Sequence, residues 1–125
     1  MCTPLIMVVD DDDDFREALE EVLVGEGFRV IAAANGEEAL RHFRLGVMPH
    51  LLLLDLWMPH MDGWQLRRHM EDDPSLKNIP VVVMTAAHAP DAVGMRVREV
   101  ISKPAPIFDI VSVVQRNVNI PSTPP

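Results

Sequence analysis

The run Leu51-Leu52-Leu53-Leu54-Asp55 constrains this chain more than any other stretch. Consecutive apolar residues without alternation describe a strand covered on both faces, as in a parallel sheet. The run ends on an acid, and Leu56-Trp57-Met58-Pro59-His60-Met61-Asp62-Gly63 follows as a loop, with Pro59 and Gly63 as breakers. A carboxylate at the C-terminal end of a buried central strand stands where open α/β sheets bind ligands. Asp55 alone fits a turn cap equally well, so the other strand ends must decide its role.

A chain of 125 residues is one domain of ordinary size, and 48% hydrophobic with 24% charged residues places it among globular proteins with a real core. The net charge of -8 argues against an intrinsic nucleic-acid surface, because phosphate contacts need clustered Lys and Arg. No apolar run approaches the roughly 20 residues of a membrane span. Met1-Cys2-Thr3-Pro4 has no basic region followed by a long apolar one, so nothing marks secretion. The single cysteine, Cys2, permits no internal disulfide. These features lead us to expect a cytoplasmic protein without membrane contact.

Leu5 to Val9 reads as a first buried strand that runs into five acids, Asp10 to Asp14. Phe15, Ala18, Leu19, Val22 and Leu23 then recur on one face of a helix, with Asp13, Asp14 and Glu17 near its first turn and Gly25 and Gly27 at its end. Asp12 to Asp14 are expected to serve helix entry and solubility rather than metal binding. Phe28 to Ala33 is a second strand, and Asn35-Gly36 closes the turn before a short helix from about Gly36 to Leu45. Trp64 to Glu71 forms a third helix, Val81 to Met84 a further buried strand ending at Thr85, and Val100 to Ser102 a brief last one closed by Lys103-Pro104. Ile107, Ile110, Val111, Val114 and Val118 mark the final helix. Pro90 and Gly94 limit any helix between Ala86 and Arg98 to a turn or two. The tail Pro121 to Pro125 reads as a linker or free end. The five histidines (His42, His50, His60, His69, His88) lack metal-ligand spacing and are expected at the surface.

Strands alternating with helices give βα units and a parallel sheet, and right-handed crossovers bring all strand C-termini to one edge. That edge collects Asp10 and Asp11, then Asp55, Thr85 and Lys103, each from a strand end. Unit charges about 4 Å apart interact by roughly 4 kcal/mol at an effective dielectric near 20, so clustered carboxylates call for a raised pKa or a bound cation. An all-oxygen site suits Mg²⁺. With Lys103 as a fixed cation and Thr85 as a hydroxyl donor, the set forms a cradle for a phosphoryl group on Asp55, since carboxylates serve as nucleophiles of this kind.

Val8-Val9-Asp10-Asp11-Asp12, the Leu51–Asp55 strand with Met58-Pro59 and Met61-Asp62-Gly63, Met84-Thr85-Ala86 and Lys103-Pro104 together resemble a receiver domain of two-component response regulators, the CheY-like phosphoacceptor family. The resemblance spans Leu5 to Val118. It implies a flavodoxin-like (βα)5 sandwich with a parallel five-stranded sheet in the order 2-1-3-4-5, a receiver over residues 1–120 and a Pro-rich tail over 121–125. It further implies that Asp55 accepts a phosphoryl group from a sensor histidine kinase or a histidine phosphotransfer protein. Asp10, Asp11, Asp55 and the backbone carbonyl of Trp57 would hold Mg²⁺, with Mn²⁺ as an alternative. Thr85 and Lys103 would contact the phosphoryl oxygens, Ala86, Ala87, Val100 and Pro104 would occupy switch and modulating positions, and the Lys103-Pro104 bond would be cis.

Two departures from the family pattern carry consequences. The aromatic switch position three residues before the lysine is Val100, and the chain has no tyrosine. Phosphorylation is therefore expected to reposition the Ala86–Val100 segment without aromatic rotation, around an irregular or shortened fourth helix. Trp57 and Ala87, at the positions that tune hydrolysis, cannot orient a water as an acid or amide can, so slow self-dephosphorylation is expected, with Trp57 as a shield. Phe108 and Val113, with Val97 and Val100, are expected to form an exposed patch on the 86–118 face for an effector or a second copy. A haloacid-dehalogenase-type phosphatase also uses Asp, Lys, Thr and Mg²⁺, but Trp57 stands where that family needs a second Asp. A degenerate receiver acting by contact alone would not need Asp10, Asp11, Asp55, Thr85 and Lys103 together.

Overall fold

The apolar runs become the strands of one sheet, and the 3.6-residue periodicities become the helices that cover it. The computed structural model describes residues 3–58, 60–85 and 97–118. In chain order these form β1 (Leu5–Val9), α1 (Asp13–Gly25), β2 (Arg29–Ala33), α2 (Gly36–Arg44), β3 (Leu51–Asp55), α3 (Gly63–Glu71), β4 (Val81–Thr85), β5 (Glu99–Ser102) and α4 (Ile107–Val118). The five strands are ordered β2-β1-β3-β4-β5 and every neighbouring pair is parallel. This is the expected doubly wound order. The segment between Thr85 and Val97, where a shortened helix was expected, lies outside the described residues, as does the tail from residue 119.

The unbroken Leu51–Leu54 run has a direct explanation. Leu52 and Leu54 join Met7, Val9, Val81 and Val83 in a core under α2 and α3, while Leu51 and Leu53 join Ile6, Val8, Val82 and Met84 under α1 and α4. Because alternate side chains point to opposite faces, a strand with two covered faces needs apolar residues at every position. β3 is buried throughout, and its leucines each contribute roughly 2 kcal/mol of apolar burial.

Helix entry is set by short polar side chains. Asp12 caps α1 by accepting from the Phe15 N–H, and Asp13 and Asp14 occupy its first turn, as expected for the acidic run. Asn35 does more than close a turn: it is the N-cap of α2, accepting from the Glu38 N–H. Asp62 and Gln65 form a reciprocal capping box at the start of α3. Gly25 is the last residue of α1, and Gly27 takes a left-handed φ of 96° that turns the chain into β2.

The expected apolar patch is corrected in part. Phe108 and Val100 are exposed, but Val113 is buried in the core under α4 and Val97 packs against the opposite core layer. A twelve-residue helix on a curved sheet presents a face wider than one stripe, and Val113 falls inside it.

Gly63 lies where the β3–α3 loop passes closest to the strand end. A Cβ there would stand 2.7 Å from the Asp55 carbonyl oxygen and 2.8 Å from the Leu56 Cα. Alanine is the better helix former by about 1 kcal/mol, yet a backbone overlap of this size outweighs that gain. Gly63→Ala is expected to lower stability by roughly 1–3 kcal/mol, seen as a lower urea midpoint at unchanged m-value. A stabilised variant would contradict the close approach.

Candidate functional site

The register of the sheet fixes the site. Val9 pairs with Leu54, Asp55 with Met84, and Thr85 with Ser102, so Asp10, Asp55, Thr85 and Lys103 emerge together at the C-terminal edge. Strand order reverses between β1 and β3, so Asp10 and Asp55 stand at the switch point where open α/β sheets bind ligands.

Asp10, Asp11 and Asp55 each place a carboxylate oxygen within 4.8 Å of the others. Asp10 is completely buried and Asp55 nearly so, whereas Asp11 is exposed. Asp10 Oδ1 accepts from the Asp12 N–H at 2.9 Å, and its Oδ2 accepts from Lys103 Nζ at 2.6 Å. The same ammonium stands 3.9 Å from Asp55 Oδ2. Asp55 Oδ1 accepts from the Trp57 N–H at 3.2 Å. Thr85 is buried beside them, and its carbonyl accepts from the Lys103 N–H at 2.8 Å, which holds the lysine at the strand end. The Lys103-Pro104 bond is cis, as expected.

Lys103 thus sits nearer to Asp10 than to the expected acceptor Asp55. Burial pushes the Asp55 carboxyl up from its ordinary 3.8 to about 6, and Asp10 and Asp11 push in the same direction, while Lys103 and the Trp57 N–H oppose the shift. Burial first, and the neighbouring acids second, thus set the raised proton affinity of Asp55.

Trp57 is 55% exposed, and its ring meets Trp64 edge-to-face at 4.8 Å between centroids. Val100 is exposed on β5, and Pro104 follows Lys103 at the rim. Ala86 and Ala87 lie outside the described residues. Two further residues belong to the site and were not singled out as such. Phe15 places its ring 4.3 Å from Lys103 Nζ, and Arg16 Nη1 donates to the Asp10 carbonyl at 2.8 Å. Their signal was position: both fall in the first turn of α1, directly after the acid-bearing loop, and that turn faces the strand edge.

Comparisons with known proteins agree with this architecture. Residues 6–115 match the family model of the response regulator receiver domain, and the chain belongs to that family. Receivers are signalling modules of two-component systems. The chain is 33% identical over 98 residues to the two-component response regulator ORR11 of Oryza sativa subsp. japonica, covering 77% of this chain and 65% of the rice protein. The signal receiver domain of a histidine kinase from Syntrophus aciditrophicus superposes with a TM-score of 0.87 at 29% identity, over 98% of this chain and 96% of that one. The response regulator TrrA of Thermotoga maritima, in complex with Mg²⁺-BeF, gives a TM-score of 0.78 at 27% identity over 92% and 99% of the two chains. The Mn²⁺-bound form of the response regulator Rcp1 gives 0.79 at 26% identity over 98% and 99%.

The raised Asp55 carboxyl ties stability to pH. Its neutral form is favoured in the folded protein, so the associated stability is complete below the unfolded value of 3.8 and is lost as pH rises through about 6. Asp55→Asn removes that loss. Without metal, the variant is expected to exceed wild type by roughly 2–3 kcal/mol at pH 7.5 and to match it near pH 4, in urea unfolding at both pH values. An equal difference at both would show that ionisation of Asp55 carries no cost.

Proposed function

We propose that Asp55 is the phosphoacceptor of a Mg²⁺-dependent receiver that takes its phosphoryl group from a sensor histidine kinase or a histidine phosphotransfer protein. The observation that carries this reading is the convergence of Asp10, Asp11, Asp55 and the Lys103 ammonium on one sheet edge of a receiver fold. The three acids fit a hard divalent cation: they are oxygen donors, one of them is exposed to admit water ligands, and their mutual repulsion needs a positive charge. Asp10, Asp11, Asp55 and the Trp57 carbonyl would hold Mg²⁺, with Mn²⁺ able to replace it. When bound, the ion would neutralise charge on the transferring phosphoryl oxygens.

The chain's own groups supply the remainder. An Asp55 carboxylate oxygen forms the new O–P bond as the donor's bond to phosphorus breaks, and that bond's electron pair leaves with the donor, which takes any proton it needs from solvent. Lys103 exchanges part of its pairing with Asp10 for a phosphoryl oxygen, and the Thr85 hydroxyl donates to another. The protein thereby catalyses its own modification, and its output passes to a partner or second copy through the 86–118 face, where Phe108 and Val100 are exposed.

Incubation with Mg²⁺ and acetyl phosphate is expected to add one phosphoryl group to the intact mass, and Asp55→Asn is expected to add none. Tryptophan fluorescence should respond to Mg²⁺ in the same samples, with apparent affinity falling by up to about tenfold per pH unit below pH 6, where Asp55 binds a proton. Modification of the Asp55→Asn variant would refute the assignment.

Trp57 bears on lifetime, since neither it nor Ala87 offers an acid or amide to direct water at the phosphoryl group. Slow loss of the phosphoryl group is expected, and Trp57→Asn should speed it several-fold in a mass-spectrometric decay series. Unchanged decay would remove Trp57 from the account.

A further inference from the structure

We propose that the Phe15 ring is a positioning platform for Lys103, holding the ammonium between Asp10 and Asp55 so that it can pass from one to the other. The proposal rests on the phosphoacceptor reading above. Three partners surround Lys103 Nζ: Asp10 Oδ2 at 2.6 Å, Asp55 Oδ2 at 3.9 Å and the centroid of Phe15 at 4.3 Å. The side chain is only 17% exposed, so the ring acts on a largely desolvated cation, where attraction to the π face is strongest.

The position of the ring is itself fixed. Phe15 stands in the first turn of α1, its N–H is bound by the Asp12 cap at 3.1 Å, and its side chain packs against the core under α1 and α4. Lys103 is fixed from the other side by its N–H bond to the Thr85 carbonyl at 2.8 Å. Cap and strand end therefore bring a rigid ring and a long flexible cation together.

A contact of this kind suits a group that must change partners. A carboxylate holds an ammonium through a directed, charge-assisted hydrogen bond. An aromatic face attracts it over a broad range of orientations and carries no net charge. An ammonium on the ring can turn from the Asp10 oxygen toward an arriving phosphoryl oxygen without first entering water. A leucine at position 15 would still cover the core but would leave the Asp10 ion pair as the dominant hold on Lys103.

The test uses the whole chain with Phe15→Leu, Phe15→Tyr and a series bearing mono-, di- and trifluorophenylalanine at position 15, which weakens the ring's π face stepwise at nearly constant shape. Acetyl phosphate with Mg²⁺ serves as donor, and urea unfolding follows stability. In the unmodified protein the Lys103 Hε protons should lie upfield of their ordinary position through the ring current. The phosphorylation rate should fall about two- to fivefold in Phe15→Leu, decline progressively along the fluorinated series, and return in Phe15→Tyr. Equal rates across the series, with wild type active, would overturn the role of Phe15 alone, as would Lys103 Hε protons at their ordinary position. Failure of wild type to accept phosphate despite the upfield shift would instead overturn the phosphoacceptor reading, and the transfer role of Phe15 with it.

Discussion

Three carboxylates brought within 4.8 Å at the end of a parallel sheet repel one another, and the surrounding structure can be read as a response to that repulsion. Asp10 is completely buried, where a charged group needs partners. It is also the best served, by the Lys103 ammonium at 2.6 Å and the Asp12 N–H at 2.9 Å. Asp11 faces water, which screens it. Asp55 receives the Trp57 N–H and a more distant lysine, which only partly offset the burial that raises its proton affinity. The raised proton affinity falls on the carboxylate whose chemistry is proposed to change. A cation or a change of covalent state relieves it, whereas a further neutral hydrogen bond would do so only in part.

Met61, Asp62 and Gly63, in the turn from β3 to α3, show how a short motif can be structural in each residue and still serve the site. Asp62 caps α3 with Gln65, Met61 accepts from the Gly36 N–H through its carbonyl and covers Gly36 with its side chain, and Gly63 lets the chain return against the Asp55 carbonyl. None of these residues joins the acidic cluster. Together they fix the direction in which the chain leaves β3, and with it the placement of the Trp57 backbone against Asp55.

Much of this was legible in the sequence because a parallel sheet converts a one-dimensional pattern into a three-dimensional edge. Apolar runs that end in Asp10, Asp55 and Thr85 need only right-handed crossovers to bring those residues together, and that handedness is nearly invariant. Contacts between side chains were less accessible. Phe15 was legible as part of the apolar stripe of α1, yet the same ring reaches Lys103 across 88 positions of sequence, and nothing local signals that meeting. The preference of Lys103 for Asp10 over Asp55 was equally hidden, since both acids share the edge and only distances of 2.6 and 3.9 Å separate them. Val113 was misplaced for a related reason: periodicity gives the centre of an apolar face but not its width, which depends on the sheet beneath.

The elements around the site are not held equally. α1, α2 and α3 each begin at a side-chain cap, and β1 and β3 are covered on both faces. β5 is an edge strand with alternating exposure and, among the described residues, pairs with β4 alone. It is tied outward to α4 by Glu99, which accepts from Arg116 and Asn117 near the protein surface. Exposed ion pairs contribute little to rigidity, so the hold on β5 comes from its pairing with β4 and that on α4 from its buried face of Ile110, Val111, Val113 and Val114. Lys103, directly after β5, joins the two regions, with its ammonium among the acids and its N–H on the Thr85 carbonyl at the end of β4. A shift of that ammonium toward a phosphoryl oxygen would act on both the β4–β5 end and the first turn of α1, where Phe15 touches it. Because Val100, exposed on that strand, presents no ring to rotate, a response there would have to be carried by the backbone.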